Sequence, residues 1–231
     1  MARSPVIWCG GDKGGVGKSL LASACLDFLQ DRGPVALVEG DLVHSDVYKA
    51  WAGTAQVRTP DETTLLDLTQ DEGWMRLGAR ATEETAPIVI NTPANLLPAI
   101  ATHATDYLAQ AHSLARRLVM LWIIDRGQES LITLDQYRKR IPAPFHVLKN
   151  ARFGPDEMFT LYNHSDLRQQ IEAAGGTSHM FPELSARIAA QLNHQRLAIP
   201  AALQSAHLDI RLGLAVWRDR VHTILQEILD A

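Results

Sequence analysis

Short runs of consecutive apolar residues alternate along this chain with longer stretches in which apolar residues recur every three or four positions. The runs fall at 5–9, 35–38, 87–90, 118–124, 145–150 and 178–181. Continuous apolar runs of that length are what strands buried on both faces of a parallel sheet require. Between them, Leu21, Cys25, Phe28 and Leu29 form one face of a helix over 20–31, stopped by Arg32-Gly33-Pro34. Leu131, Leu134 and Tyr137 do the same over 129–140. A third helix is expected from about Pro155 to the Gly175-Gly176 pair, and a fourth over 212–231, where Trp217, Val221, Ile224, Leu225 and Ile228 share a face. Five or six strands alternating with helices predict an α/β fold: a doubly wound, mainly parallel sheet flanked by helices, its first strand near the centre. No linker or repeat divides residues 1–231, so one domain is expected. Residues 51–86 carry little pattern beyond a helix start at Pro60-Asp61-Glu62-Thr63-Thr64 and a short apolar stretch at Trp74-Met75-Arg76-Leu77.

Composition narrows the function classes. A 46% hydrophobic share is enough for an ample core in 231 residues. A net charge of −4 supplies no global basic field for nucleic acid, so any DNA contact is expected to be indirect. No run of about 18 apolar residues exists to span a membrane, and residues 1–5 leave no room for a cleavable apolar leader. The two cysteines, Cys9 and Cys25, form neither a metal-ligand pattern nor a disulfide framework; buried thiols in a reducing cytoplasm are expected. Nine histidines show no ligand spacing.

Candidate chemistry concentrates between the first strand and the first helix, in Gly10-Gly11-Asp12-Lys13-Gly14-Gly15-Val16-Gly17-Lys18-Ser19. From Gly11 to Ser19 this is the spacing G-x-x-x-x-G-K-[ST], in the strand-to-helix position that a phosphate loop needs. The glycines let the backbone approach phosphate oxygens, with the positive end of the following helix behind them. Lys18 places a charge at the β and γ phosphates, and the Ser19 hydroxyl is suited to Mg²⁺. The second lysine, Lys13, is either a solvated loop charge or another phosphate ligand. Past the second strand, Glu39-Gly40-Asp41 sets two acids at the sheet edge where α/β folds bind ligands, and Asp46 follows in the same loop.

Lys13-Gly14-Gly15-Val16-Gly17-Lys18-Ser19 resembles the deviant Walker A motif of the ParA/MinD superfamily of P-loop ATPases. That resemblance implies ATP or ADP bound by residues 11–20 (Gly11, Asp12, Lys13, Gly14, Gly15, Val16, Gly17, Lys18, Ser19 and Leu20), with Lys13 reaching the nucleotide of a second copy in an ATP-sandwich homodimer. It implies Asp41 as the acid that orients the attacking water, and Glu39 where the family's first Asp stands. Asn91-Thr92-Pro93 resembles the Walker B strand end with Asn91 in place of the acid. The implied Mg²⁺ set is therefore Ser19, Asp41 and Asn91, with weaker metal affinity or slower turnover, because an amide accepts a hydrogen bond but brings no charge. Asn150 stands where related proteins contact the base, and Pro182-Glu183 resembles the turn that covers the adenine.

Trp122-Ile123-Ile124-Asp125-Arg126 and Lys149-Asn150-Ala151-Arg152-Phe153-Gly154 are similar to the StbB and TraL group of plasmid stability and conjugative transfer ATPases. This implies an ATP-dependent switch working on plasmid DNA through a small DNA-binding partner. Two other readings stay open: a small-molecule kinase or ligase of the dethiobiotin synthetase type, and a nucleotide-binding scaffold with negligible turnover. MinD-like proteins end in a membrane-binding helix. Here the polar face of 212–231 carries mixed charge, which predicts docking on the chain's own sheet.

Overall fold

The run Val35–Glu39, apolar until its last residue, is buried at every position, and the same holds for Ile88–Asn91 and Phe145–Asn150. Strands this apolar need cover on both faces. The computed structural model, which describes residues 3–11, 13–104, 116–205 and 207–230, supplies it with helices on each side of one sheet. The strands are β1 (Arg3–Gly10), β2 (Val35–Glu39), β3 (Val57–Arg58), β4 (Ile88–Asn91), β5 (Arg116–Ile124), β6 (Phe145–Asn150) and β7 (Ser178–Phe181). They lie in the order β3-β2-β4-β1-β5-β6-β7, so β1 is central. Every pairing is parallel, including β2–β4, which sets Glu39 beside Asn91.

The sheet has seven strands where the hydrophobic pattern suggests five or six. The additional one, β3, is two residues long, too short for any periodicity to show. A second departure lies after β6. In place of one helix from Pro155 the chain makes a 3-10 turn at Asp156–Met158, a helical turn at Thr160–Asn163 and then a helix at Asp166–Ala173. Ser165 restarts the helix by accepting from the Arg168 amide, which satisfies one of its orphan donors.

The helices used below are α1 (Lys18–Gln30), α2 (Asp46–Trp51), α3 (Asp71–Glu83), α4 (Gln128–Arg138), α5 (Asp166–Ala173), α6 (Ala186–Gln195), α7 (Ile199–Ser205) and α8 (Leu208–Leu229). α1, α2, α6, α7 and α8 cover one face with Leu21, Trp51, Ile188, Leu214 and Val221 in the core. α3, α4 and α5 cover the other, where Trp8 stacks on Trp74 at 5.9 Å between ring centroids.

α8 starts four residues before the expected position and packs its Ile210, Leu214, Trp217, Val221, Leu225 and Ile228 stripe inward. Asp27 on α1, wholly buried, fixes its register: the carboxylate accepts from Arg218 Nε at 2.6 Å and pairs with His222 Nε2 at 2.8 Å. A buried carboxylate left without these partners would be severely destabilising, so the helix is held to one seating. Among the described residues no helix is long and apolar enough to cross a membrane. Cys9 and Cys25 are both fully buried, with their sulfurs 3.8 Å apart.

Candidate functional site

β1 ends at Gly10, and the chain must turn sharply over the sheet edge to enter α1. Gly15 and Gly17 take φ of +77° and +117°, a region that side-chain-bearing residues avoid. Gly17 is the N-cap of α1 and supplies no side-chain cap, which leaves the helix's first-turn amides to a ligand. A Cβ on Gly17 would also sit 2.9 Å from Asn150 Nδ2. Under the loop Gly11 is buried, and a Cβ there would meet the Ile123 carbonyl oxygen at 2.7 Å. Lys18 is buried and donates from Nζ to the Lys13 carbonyl at 2.9 Å, holding its ammonium inside the loop.

A cavity of about 660 Å³ opens above this loop. Gly14, Gly15, Gly17, Lys18, Ser19 and Leu20 line one end, and Asp41 and Asp46 approach from the β2–α2 side. Lys13 points elsewhere: its ammonium pairs with Asp125 Oδ2 at 3.1 Å, at the end of β5. Burial acts to raise the Asp125 pKa, but hydrogen bonds from Ser130, the Gly127 amide and Lys13 outweigh it and hold the carboxyl below its usual range. Asp12 lies outside the described residues.

Glu39 is the hub of the neighbouring loop. Fully buried, it accepts from Asn91 Nδ2 at 2.7 Å and the Asp41 amide at 3.1 Å through Oε1, and from the Tyr48 amide at 3.2 Å through Oε2. Burial pushes its pKa up to about 7 against the pull of those three donors. The loop from 40 to 48 is thereby tied down at both ends around Asp41, whose Oδ1 accepts from the His44 amide at 3.0 Å.

Asn91 spends its amino group on Glu39 and leaves Oδ1 buried with no hydrogen-bond partner among the described residues. An orphaned acceptor at this depth is costly unless something fills it. Ser19 and Asp41 line the cavity and carry the oxygen donors a hard cation takes, so their chemistry fits Mg²⁺, whereas Asn91 is not among the lining residues. Among the described residues no cluster of three or more His, Cys, Asp and Glu side chains forms a separate metal site.

The rest of the cavity's lining includes residues from distant parts of the chain: Arg152, Leu184, Leu192, Asn193, Arg196 and Leu197. Asn150 also lines it, but both ends of its amide are engaged. Nδ2 donates to the Val16 carbonyl at 2.8 Å, and Oδ1 accepts from the Arg152 amide at 3.0 Å. It braces the phosphate loop against β6. Pro182 and Glu183 do not line the cavity. The Pro182 carbonyl accepts from Trp217 Nε1 at 2.8 Å, and Glu183 lines a separate groove of about 330 Å³ between α6 and α8. Leu184, the next residue, is the one that reaches the cavity wall.

Sequence reasoning did not single out Asp125 as the partner of Lys13, nor Arg152 and Arg196. Asp125 carried one signal, its place at a strand's C-terminal end, where this fold class gathers its chemistry.

Over 232 aligned residues the chain is 35% identical to protein MobD of Acidithiobacillus ferrooxidans, covering 99% of both. The chain belongs to the MobD family. No protein-family model matches it. Among solved structures, this MobD-family chain is similar to the MinD cell division protein of Aquifex aeolicus (TM-score 0.50, 14% identity, 95% of this chain and 97% of that one). It is similar also to the Pyrococcus horikoshii MinD complexed with Mg-ADP (TM-score 0.50, 11% identity, 99% and 100%) and to an ATP complex of a Cyanothece McdA variant (TM-score 0.51, 13% identity, 95% and 96%). At those identities the likeness shows the fold, a ParA/MinD-type P-loop ATPase fold.

Proposed function

We infer that this MobD-family chain binds ATP with Mg²⁺, hydrolyses it slowly, and pairs with a second copy of itself around the nucleotide. In doing so it acts in plasmid mobilisation or maintenance through a small DNA-binding partner. The observation that carries this reading is the phosphate loop forming the floor of a 660 Å³ cavity beside Asp41.

The triphosphate lies against the amides that begin α1, and Lys18 neutralises charge between the β and γ phosphates. Ser19 and Asp41 hold Mg²⁺, which when bound offsets the charge developing on the phosphate oxygens. Asp41, fixed by the Glu39 hub, orients the attacking water. Lys13 leaves Asp125 to reach the phosphates of the second copy, so that nucleotide and self-association stabilise one another. Membership of the MobD family and the likeness to the StbB and TraL group support transfer of plasmid DNA over a metabolic role; the net charge of −4 supports DNA contact through a partner.

The test is phosphate release and light-scattering mass with ATP and Mg²⁺, for the wild type and for Lys13→Ala. The wild type is expected to double its mass with ATP, and the variant to stay monomeric. Equal masses in all conditions would end the sandwich reading. Phosphoryl transfer to a small metabolite in a substrate screen would favour the kinase alternative.

A further inference from the structure

A surface helix is expected to be polar on the side turned from the core, and α8 obeys this only over its second half. There the exposed positions are Asp219, Arg220, Thr223, Gln226 and Glu227. Over the first half the outward side carries Leu208, Leu212 and Val216, which are 65%, 60% and 54% exposed and recur every four residues. None of the three belongs to the stripe that α8 buries. Contiguous apolar side chains left in water mark a surface that another molecule covers.

Beside these residues runs the groove between α6 and α8. Asp209, Gly213, Val216 and Arg220 line it from α8, at intervals of four, three and four positions that set them on one helical face. Gly213 leaves a notch in that face, where a Cβ would come within 2.8 Å of Ile188 Cδ1 on α6. The charges stand at the two ends of the face. Asp209 pairs through Oδ2 with Arg187 at 2.8 Å, but both side chains are more than half exposed, so the pair is weakly held. Arg220 makes no hydrogen bond or ion pair among the described residues.

Turned end for end, this face matches itself. Asp209 and Arg220 lie equally far from the peptide bond between Leu214 and Ala215, about 8 Å along the helix axis on either side. A two-fold axis through that point sets Asp209 of one copy against Arg220 of the other, twice. It also brings each Val216 over the other copy's Gly213, with Leu212 beside it. Self-complementarity of this kind is what a two-fold contact between identical chains requires. We propose that the first half of α8 is a docking surface for a second copy of this chain, the two α8 helices packing antiparallel. Three apolar side chains per copy make a small contact, with a Kd on the order of 100 µM. It needs no nucleotide and is separate from the ATP-dependent pairing described above.

Sedimentation velocity of the full chain in EDTA without nucleotide, from about 5 µM to 500 µM, tests it. The weight-average mass of the wild type is expected to climb from monomer toward dimer over that range. Val216→Glu is expected to stay monomeric throughout with its Tm unchanged, because the side chain it replaces is exposed. Asp209→Arg and Arg220→Asp each set like charges opposite one another and are expected to stay monomeric alone, whereas their equimolar mixture associates as the wild type does. A wild type that remains monomeric at every concentration would overturn the proposal. So would association that Val216→Glu leaves intact, or a mixture of the two charge variants that stays monomeric. A monomeric wild type that pellets with phosphatidylglycerol vesicles, while Val216→Glu remains in solution, would overturn it by assigning the patch to lipid.

Discussion

The lining of the cavity is made of two different materials. The glycine-rich loop contributes backbone: glycines at positive φ, the first turn of α1 and one buried lysine, all within ten consecutive residues. The rest of the lining includes side chains gathered from the end of β6, the β7–α6 link and the end of α6, nearly fifty residues apart in sequence. Backbone geometry constrains residue type tightly, so the first announces itself as a motif. Side chains converging on a wall can be of many kinds, and no spacing records that they meet.

That contrast can be tested, beginning where the effect is largest. Lys18→Ala removes the buried ammonium and is expected to weaken both ATP and tripolyphosphate at least about 100-fold, the loss of a charge-assisted contact to phosphate, read by calorimetry. Gly17→Ala forces a side chain into φ +117° and against Asn150 Nδ2. It should destabilise the fold by about 1–3 kcal/mol, seen as a lower urea midpoint. Asn150→Ala frees the brace on Val16 and the Arg152 amide; ATP and tripolyphosphate are expected to weaken together, by roughly 5- to 10-fold, chiefly through the buried bond to Val16. A loss confined to ATP would move Asn150 from the loop to the base. Asn91→Asp should raise Mg²⁺ affinity and the rate of phosphate release by up to about tenfold, by adding charge beside the metal site; unchanged values in a metal titration would mean that Glu39 already supplies what the amide lacks.

The smallest effect concerns β6, the strand that carries Asn150. His146 is buried beside Thr177, and burial, then the neighbouring His179 and Arg117, lowers its pKa to about 4. The unfolded chain takes up that proton near pH 6.5, so between pH 6.5 and 4 unfolding binds a proton and stability falls as pH falls. His146→Gln is expected to flatten this part of a Tm-against-pH curve; an unchanged slope would assign the acid sensitivity to other groups.

Much of the fold was legible because burial on both faces leaves unbroken apolar runs, as in Val35–Val38 and Ile88–Ile90. β3 was not, since two residues carry no period. The stretch after Asn150 misled because the backbone leaves helical geometry at Phe159 and His164 before Ser165 starts the helix Asp166–Ala173. Within the site, the phosphate loop, Asp41 and Ser19 stood out by type and place. The coupling of Glu39 to Asn91 followed from strand register, which a single sequence does not state: only the β2–β4 pairing sets them side by side. The Lys13–Asp125 pair, 112 residues apart, was hidden for the same reason.

The carboxylate of Asp27 has one further meaning. It stands on the helix whose first residue is Lys18 and clasps α8 at Arg218, 191 residues further along, so the two helices are yoked through one acid. A molecule that tugged on α8 would be pulling on the helix that begins at Lys18.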